Sequence, residues 1–261
     1  MHTITLTTDF GTRDWFVGAM KGVILSIAPR VRVVDITHEV QPGDVWAGAF
    51  ALAASWRCFP PATVHVAVVD PGVGSARRAL VVETDRGWFV GPDNGVLTLA
   101  LADQRLRAVR ALENRRYFRA PVSATFHGRD VFAPVAAHLS RGVAVRNLGP
   151  AVGSFVRLPW PEPSRKGRRV TGRVVYVDRF GNAITNLPAE LAPHTGRGPG
   201  GVVVAGKHRC PVRACYQAVP LGRPVAVPGS AGYLEVAVNG GSGAQTLGVA
   251  VGDPVVFTAA G

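Results

Sequence analysis

An α/β N-terminal domain with a mainly parallel central sheet, followed by a smaller all-β, barrel-like C-terminal domain, is the fold class that the sequence predicts. Three observations predict it. Period-2 apolar runs alternate with helical patterns through the first half, the pattern collapses into a proline-rich stretch near residue 150, and short apolar runs separated by Gly and Pro fill the remainder.

The first half opens with TITLTT (3–8), which alternates as a strand does, and Asp9 closes it within TTDFGTRD. There Gly11 and Thr12 turn the chain toward a helix over about 14–28, with Asp14 placed to cap it. VRVVDIT (31–37), a helical pattern over about 44–57 and TVHVAVVD (63–70) complete a β-α-β-α-β series. Right-handed crossovers between parallel strands bring their C-terminal ends to one edge, the usual ligand edge of an open α/β sheet. Asp9, Thr37, His38 and Asp70 all fall at that edge. ALVVET (79–84), GWFVGP (87–92) and helices near 95–103 and 129–140 continue the domain.

Between 149 and 169 the sequence reads GPAVGSFVRLPWPEPSRKGRR, with four prolines and no period, which marks a junction. The expected division is residues 1–155 for the first domain, 156–168 for a linker and 169–261 for the second domain. Strand-like runs follow at 170–178, 201–206, 224–229, 232–239 and 253–259, with no long helical pattern, as in a barrel or sandwich. There is no internal repeat.

The chain has 261 residues, 47% hydrophobic and 18% charged, and no apolar stretch approaches the roughly 20 residues that span a bilayer. The N-terminus alternates like a strand and lacks a basic, cleavable leader, so a soluble cytoplasmic protein is expected. Cys58, Cys210 and Cys215 have no paired C-x-x-C spacing, and the seven histidines form no ligand pattern, so no metal site is expected. Cys210 and Cys215 can be drawn as a disulfide, but reduced thiols suit the expected compartment better. The net charge of +12 comes from 29 basic residues of which only Lys21, Lys166 and Lys207 are lysine. Arginines scattered through an Ala-, Gly-, Val- and Pro-rich chain are a compositional bias rather than a nucleic-acid stripe, and the dense run SRKGRR falls in the expected linker.

VVDPGVGSARR places Asp70 at a strand end and Arg77 seven residues on, around two glycines that let backbone approach a ligand. Asp-Pro-Gly is also an ordinary turn, and Arg77 by itself reads equally well as a surface residue. TFHGRDVFAP sets His127 just before a helix. A His, an Arg and an Asp together can hold and deprotonate a water: His or Asp takes the proton and Arg stabilises the developing hydroxide. A carboxylate such as Asp9 at a strand edge either organises its turn or accepts hydrogen bonds from a ribose diol. In DRFGNAITN (178–186), amides can pair with an adenine edge and Phe180 can cover a purine face, although a simple β-turn explains the stretch as well.

The blocks TTDFGTRD, DITHEVQPGDVWAGAFAL, VVDPGVGSARR, GPDNGVL, TFHGRDVFAP, DRFGNAITN and GYLEVAVN, in this order over nearly the whole chain, resemble the S-adenosyl-L-methionine hydrolases. These are also called S-adenosyl-L-methionine hydroxide adenosyltransferases, relatives of the fluorinases and chlorinases. The resemblance implies a homotrimer with active sites between the N-terminal domain of one subunit and the C-terminal domain of the next. It implies that Asp70, Arg77 and His127 hold the attacking water, that Asp9 binds the ribose hydroxyls, Asp178 the methionine amino group, Asn182 the adenine and Ser230 the methionine carboxylate. Asn239 and Gly240 would approach adenine through backbone. The fluorinase pattern has Tyr, Thr and Tyr at the positions of Asp70, Arg77 and His127, and carries an insertion absent between Thr84 and Gly91 here. Two positions depart from the pattern: Ala231 stands where halogenases carry Arg after the serine, and Gly229 where Asn is often found before it.

The activity expected from this resemblance is hydrolysis of S-adenosyl-L-methionine to adenosine and L-methionine by attack of water on ribose C5′, with no metal or second cofactor. A chloride-using halogenase and a non-catalytic S-adenosylmethionine or adenosine sensor are the alternatives, and both are disfavoured by the presence of Asp70, Arg77 and His127. A nucleic-acid-binding module rests on net charge alone.

Overall fold

In the computed structural model, which describes residues 2–192 and 200–260, the chain divides into two compact units, Met1–Pro159 and Trp160–Gly261. Each unit is held by its own apolar core.

In the first unit, β1 (Thr3–Thr8) is buried along its whole length because it sits between β2 (Arg32–Thr37) and β3 (Thr63–Val68), parallel to both. β3 pairs in parallel with β5 (Gly87–Pro92), and β4 (Ala79–Thr84) lies antiparallel between β5 and β6 (Leu106–Ala111). The six strands run in the order β2-β1-β3-β5-β4-β6, a mixed but mainly parallel sheet. β4 and β5 are joined by the two residues Asp85 and Arg86, so the stretch before Gly91 is a tight hairpin.

Alternation along the strands feeds both faces of this sheet. Val64, Val66 and Val68 pack with Met20 and Ile24 of α1 (Phe16–Ile27). Ala67 and Val69 pack with Leu52 of α2 (Val45–Ser55) and with Leu97 and Leu101 at α3 (Thr98–Leu101). A π-helical turn, Gly128–Phe132, leads into α4 (Ala133–Ser140), which covers the first face beside α1. Asp44 caps α2 by accepting from the Ala47 amide at 2.9 Å. Asp14 does not cap α1: that helix starts one residue later, with Trp15 at the cap position and no side-chain cap bond.

The second unit is an antiparallel, nearly closed barrel. Its strands are β7 (Ser164–Lys166), β8 (Arg169–Val177), β9 (Ala183–Pro188), β10 (Val202–Ala205), β11 (His208–Pro211), β12 (Pro224–Pro228), β13 (Tyr233–Val238) and β14 (Pro254–Thr258). The order is β11-β10-β14-β8-β9-β13-β12, and a parallel bridge between Val212 and Ala226 joins its two ends. Closure removes the edges that a small open sheet would expose. Phe257, Leu187 and Leu234 are fully buried in the interior. The nine-residue β8 serves both halves, pairing with β14 through Arg169–Arg173 and with β9 from Val174 onward.

The sequence reading also differs from this structure at several strands. The run Ser164–Arg169 is not a linker: β7 pairs with β8 across Gly167, whose φ of 58° suits the reversal. β6, β9 and β11 carry no clean apolar alternation and were not expected. Cys58, Cys210 and Cys215 are free, in agreement with the reduced thiols that the sequence reading favours.

Candidate active site

Asp70 follows β3 and opens a double turn in which the Val73 amide donates to the Asp70 carbonyl and the Ser75 amide to the Gly72 carbonyl, each at 3.1 Å. That fold-back returns Arg77 to Asp70: Arg77 Nε donates to Asp70 Oδ1 at 2.9 Å, and its Nη2 donates to Oδ2. The same Nη2 donates to His127 Nδ1 at 2.8 Å. A guanidinium has no acceptor, so Nδ1 must accept, and the proton of the neutral ring is assigned to Nε2. Burial first, and then the Arg77 charge, lower the pKa of His127 against the pull of Asp70 and Asp130. The imidazole is therefore set to stay neutral and to offer an Nε2–H.

The loop bearing His127 is held from two sides. Gly74, at φ 76°, lies so near the Ala124 carbonyl that a Cβ would come within 2.2 Å of that oxygen. Asp130, wholly buried, takes the Ser123 amide at 2.9 Å and the side chains of Arg129 and Arg119. Phe132 stacks under the Arg77 guanidinium at 5.4 Å.

Asp70 and His127 line a cavity of about 380 Å³ together with Asp9, Gly43 and the aromatic group Phe10, Phe16 and Phe126. Arg77 is not part of that lining; it ties Asp70 to His127. Asp9 follows β1 and is aimed by the Gly43 amide, which donates to its Oδ2 at 2.8 Å. Burial raises the Asp9 pKa; the Gly43 bond opposes the rise and the Asp70 charge adds to it. The three phenylalanines meet at centroid distances of 5.1 to 5.8 Å, two of the contacts being edge to face. Sequence reasoning passed over them because an isolated Phe beside a turn has no signature of its own.

In the second unit, a cavity of about 770 Å³ is lined by Asp178, Phe180, Asn182, Ser230, Asn239 and Gly240, and also by Tyr216 and Glu235. Asp178 organises the loop after β8: its Oδ1 accepts from the amides of Phe180 and Asn182 at 2.9 and 2.8 Å, and its Oδ2 from Asn182 Nδ2 at 2.9 Å. Phe180 is left 76% exposed over the cavity. Asn239 Nδ2 donates to the Val219 carbonyl at 2.7 Å, which commits that side chain to the loop. Tyr216 and Glu235 were not singled out from sequence. The available signal was a lone carboxylate in the apolar strand YLEVAV.

The N-terminal domain profile of the SAM hydroxide adenosyltransferases matches residues 4–149, and the C-terminal domain profile matches residues 172–256. The chain belongs to the SAM hydroxide adenosyltransferase family. Within and around this family, it is 46% identical to a protein of Salinispora arenicola named (R)-S-adenosyl-L-methionine hydrolase, covering 98% of this chain and 97% of that one. A protein of the same name from Thermus thermophilus is 44% identical over 98% of this chain and 99% of its own length. A fluorinase of Actinoplanes sp. is more distant, at 28% identity over 98% and 97% of the two chains. The crystal structure of an uncharacterized conserved protein from Thermotoga maritima superposes with a TM-score of 0.90 at 38% identity, covering 99% of this chain and all of that one. No helix among the described residues of this family member is long and apolar enough to cross a membrane.

Proposed function

We propose that the protein hydrolyses S-adenosyl-L-methionine to adenosine and L-methionine, with the (R)-sulfonium epimer named for its relatives as its substrate. The observation that carries this reading is the continuous contact from Asp70 through Arg77 to His127 at the wall of a cavity. A water there can donate a proton to Asp70 and receive the His127 Nε2–H, so that a lone pair is turned toward C5′. The new O–C5′ bond forms as the C5′–S bond breaks, the electron pair goes to sulfur as the thioether of methionine, and the water proton passes to Asp70 and then to solvent. The sulfonium needs no acid to leave, so catalysis consists of aligning the water and easing its deprotonation. The reaction calls for no metal or added cofactor. A fixed carboxylate at Asp70 disfavours a halide in the same place.

In this reading Asp9 holds the ribose diol, with Phe10, Phe16 and Phe126 as its apolar surroundings. Asp178, Phe180, Asn182, Ser230, Asn239 and Gly240 hold the methionine and adenine ends. The working form is a cytoplasmic homotrimer in which the first unit of one subunit meets the second unit of the next. What supports this assembly is the family resemblance, together with the division of the substrate-binding set between two cavities in two units.

The test is product analysis with each sulfonium epimer in oxygen-18 water, with and without chloride. Adenosine labelled in its 5′-hydroxyl, formed with inversion at C5′ and at an unchanged rate in chloride, is expected. Accumulation of 5′-chloro-5′-deoxyadenosine would replace hydrolysis by halogenation, and binding without turnover would leave a sensor.

A further inference from the structure

A buried carboxylate is costly unless a cation or several donors compensate it. In a chain with 29 basic and 17 acidic residues, cations are plentiful, and the other buried acids use them. Asp93 is paired with Arg78, Asp130 with Arg119 and Arg129, and the Asp70 side chain with Arg77. Glu235 is the exception. It is 6% exposed in the middle of β13, lines the 770 Å³ cavity, and has no cationic side chain within ion-pair distance among the described residues. Among the described residues, its side-chain hydrogen bond comes from Tyr216, whose hydroxyl donates to Oε2 at 2.8 Å. The chain also makes room for it: a Cβ on Gly229 would lie 2.0 Å from Glu235 Oε1 and 2.4 Å from Cδ. The departure at Gly229 thus has a physical use, because a side chain at that position would drive Glu235 from its place.

We propose that Glu235, held by Tyr216 and admitted by Gly229, is a substrate-binding residue whose missing cation is the α-ammonium group of the methionine moiety, which it shares with Asp178 across the same cavity. This rests on the proposed function. The substrate brings two cations, and the chemistry distinguishes them. The sulfonium loses its charge as C5′–S breaks, so an anion beside it would stabilise the ground state more than the transition state and slow the reaction. The ammonium keeps its charge throughout, so a carboxylate beside it adds uniform binding and leaves the barrier alone. Asp178 lies on the same cavity wall, and burial together with its charge raises the Glu235 pKa while the Tyr216 bond opposes the rise. A bound ammonium relieves both effects.

The experiment compares steady-state kinetics of wild type, Glu235→Gln and Gly229→Ala on S-adenosylmethionine and on its deamino analogue, which has hydrogen in place of the ammonium. Loss of a charge-assisted hydrogen bond should raise KM for S-adenosylmethionine by about tenfold or more in either variant, with kcat within about twofold. On the deamino analogue, both variants should match wild type. An equal loss on both substrates would overturn the proposal in favour of a structural Glu235. An unchanged KM for Glu235→Gln would also overturn it, in favour of a neutral acid that the amide replaces. If the wild type itself turns over neither epimer, the hydrolase reading fails and this inference falls with it.

Discussion

Arg77 Nη2 lies 2.8 Å from His127 Nδ1, while Nε and the same Nη2 bond the two carboxylate oxygens of Asp70. One arginine thus fixes both the tautomer of a histidine 50 residues away and the orientation of a carboxylate. Its planar fork is what allows this, and a lysine ammonium does not reproduce it.

Removing either end of that contact should act on the chemical step. Asp70→Asn or His127→Ala is expected to lower kcat by roughly 10²–10⁴ with little change in KM, as for loss of proton handling and water orientation. Arg77→Lys should fall in the same range although the positive charge is kept. Steady-state kinetics on S-adenosylmethionine, with a separate binding measurement, distinguish this from lost affinity; near-normal turnover in any of the three would remove that residue from the water site.

Protonating His127 at Nδ1 breaks its bond to Arg77 and sets two cations together. Since burial and Arg77 lower its pKa from the ordinary 6.5, kcat should hold as the pH drops through 6.5 and decline only below it. A pH profile of kcat with an acid limb at or above 6.5 contradicts the assigned contact.

Gly74 tests whether the two loops must touch. In Gly74→Ala, a Cβ 2.2 Å from the Ala124 carbonyl at φ 76° leaves no room for the present backbone. The variant should lose about 1–3 kcal/mol of stability and most of its turnover, because the His127 loop has to retreat. Urea unfolding and kinetics on the same preparation measure both.

His65, stacked on Phe89 at 4.9 Å and bonded to Thr5 Oγ1 at 2.9 Å, is buried with its pKa pushed down to about 4. A group less basic in the folded than in the unfolded state costs nothing above the ordinary value. Stability is then lost as the pH falls from 6.5 toward 4, by about 3 kcal/mol in total. His65→Gln should flatten that dependence between pH 7 and 4.5 in urea titrations; an unaltered slope would place the acid sensitivity elsewhere.

Assembly is open to complementation. Asp9→Ala and Asn182→Ala should each be nearly inactive alone, and trimers formed by mixing the two should regain part of the activity wherever two intact halves meet. Sedimentation of a fully active monomer would rule this out.

The sequence by itself determined the α/β and β-barrel halves, since period-2 runs such as TITLTT and period-3.6 helices are local properties that burial reads directly. It also determined the family and the residues to examine, through ordered blocks no single turn or strand explains. It missed β6, a strand whose arginines interrupt the apolar period, and β7, read as a linker because SRKGRR has no apolar face. Tertiary structure alone decided that Arg77 bonds both Asp70 and His127, and that Glu235 sits against Gly229 with no cation beside it among the described residues. These facts depend on which loops return to the same sheet edge and which charges are left without partners after packing. Both are consequences of long-range closure, and a residue's neighbours along the chain do not encode them.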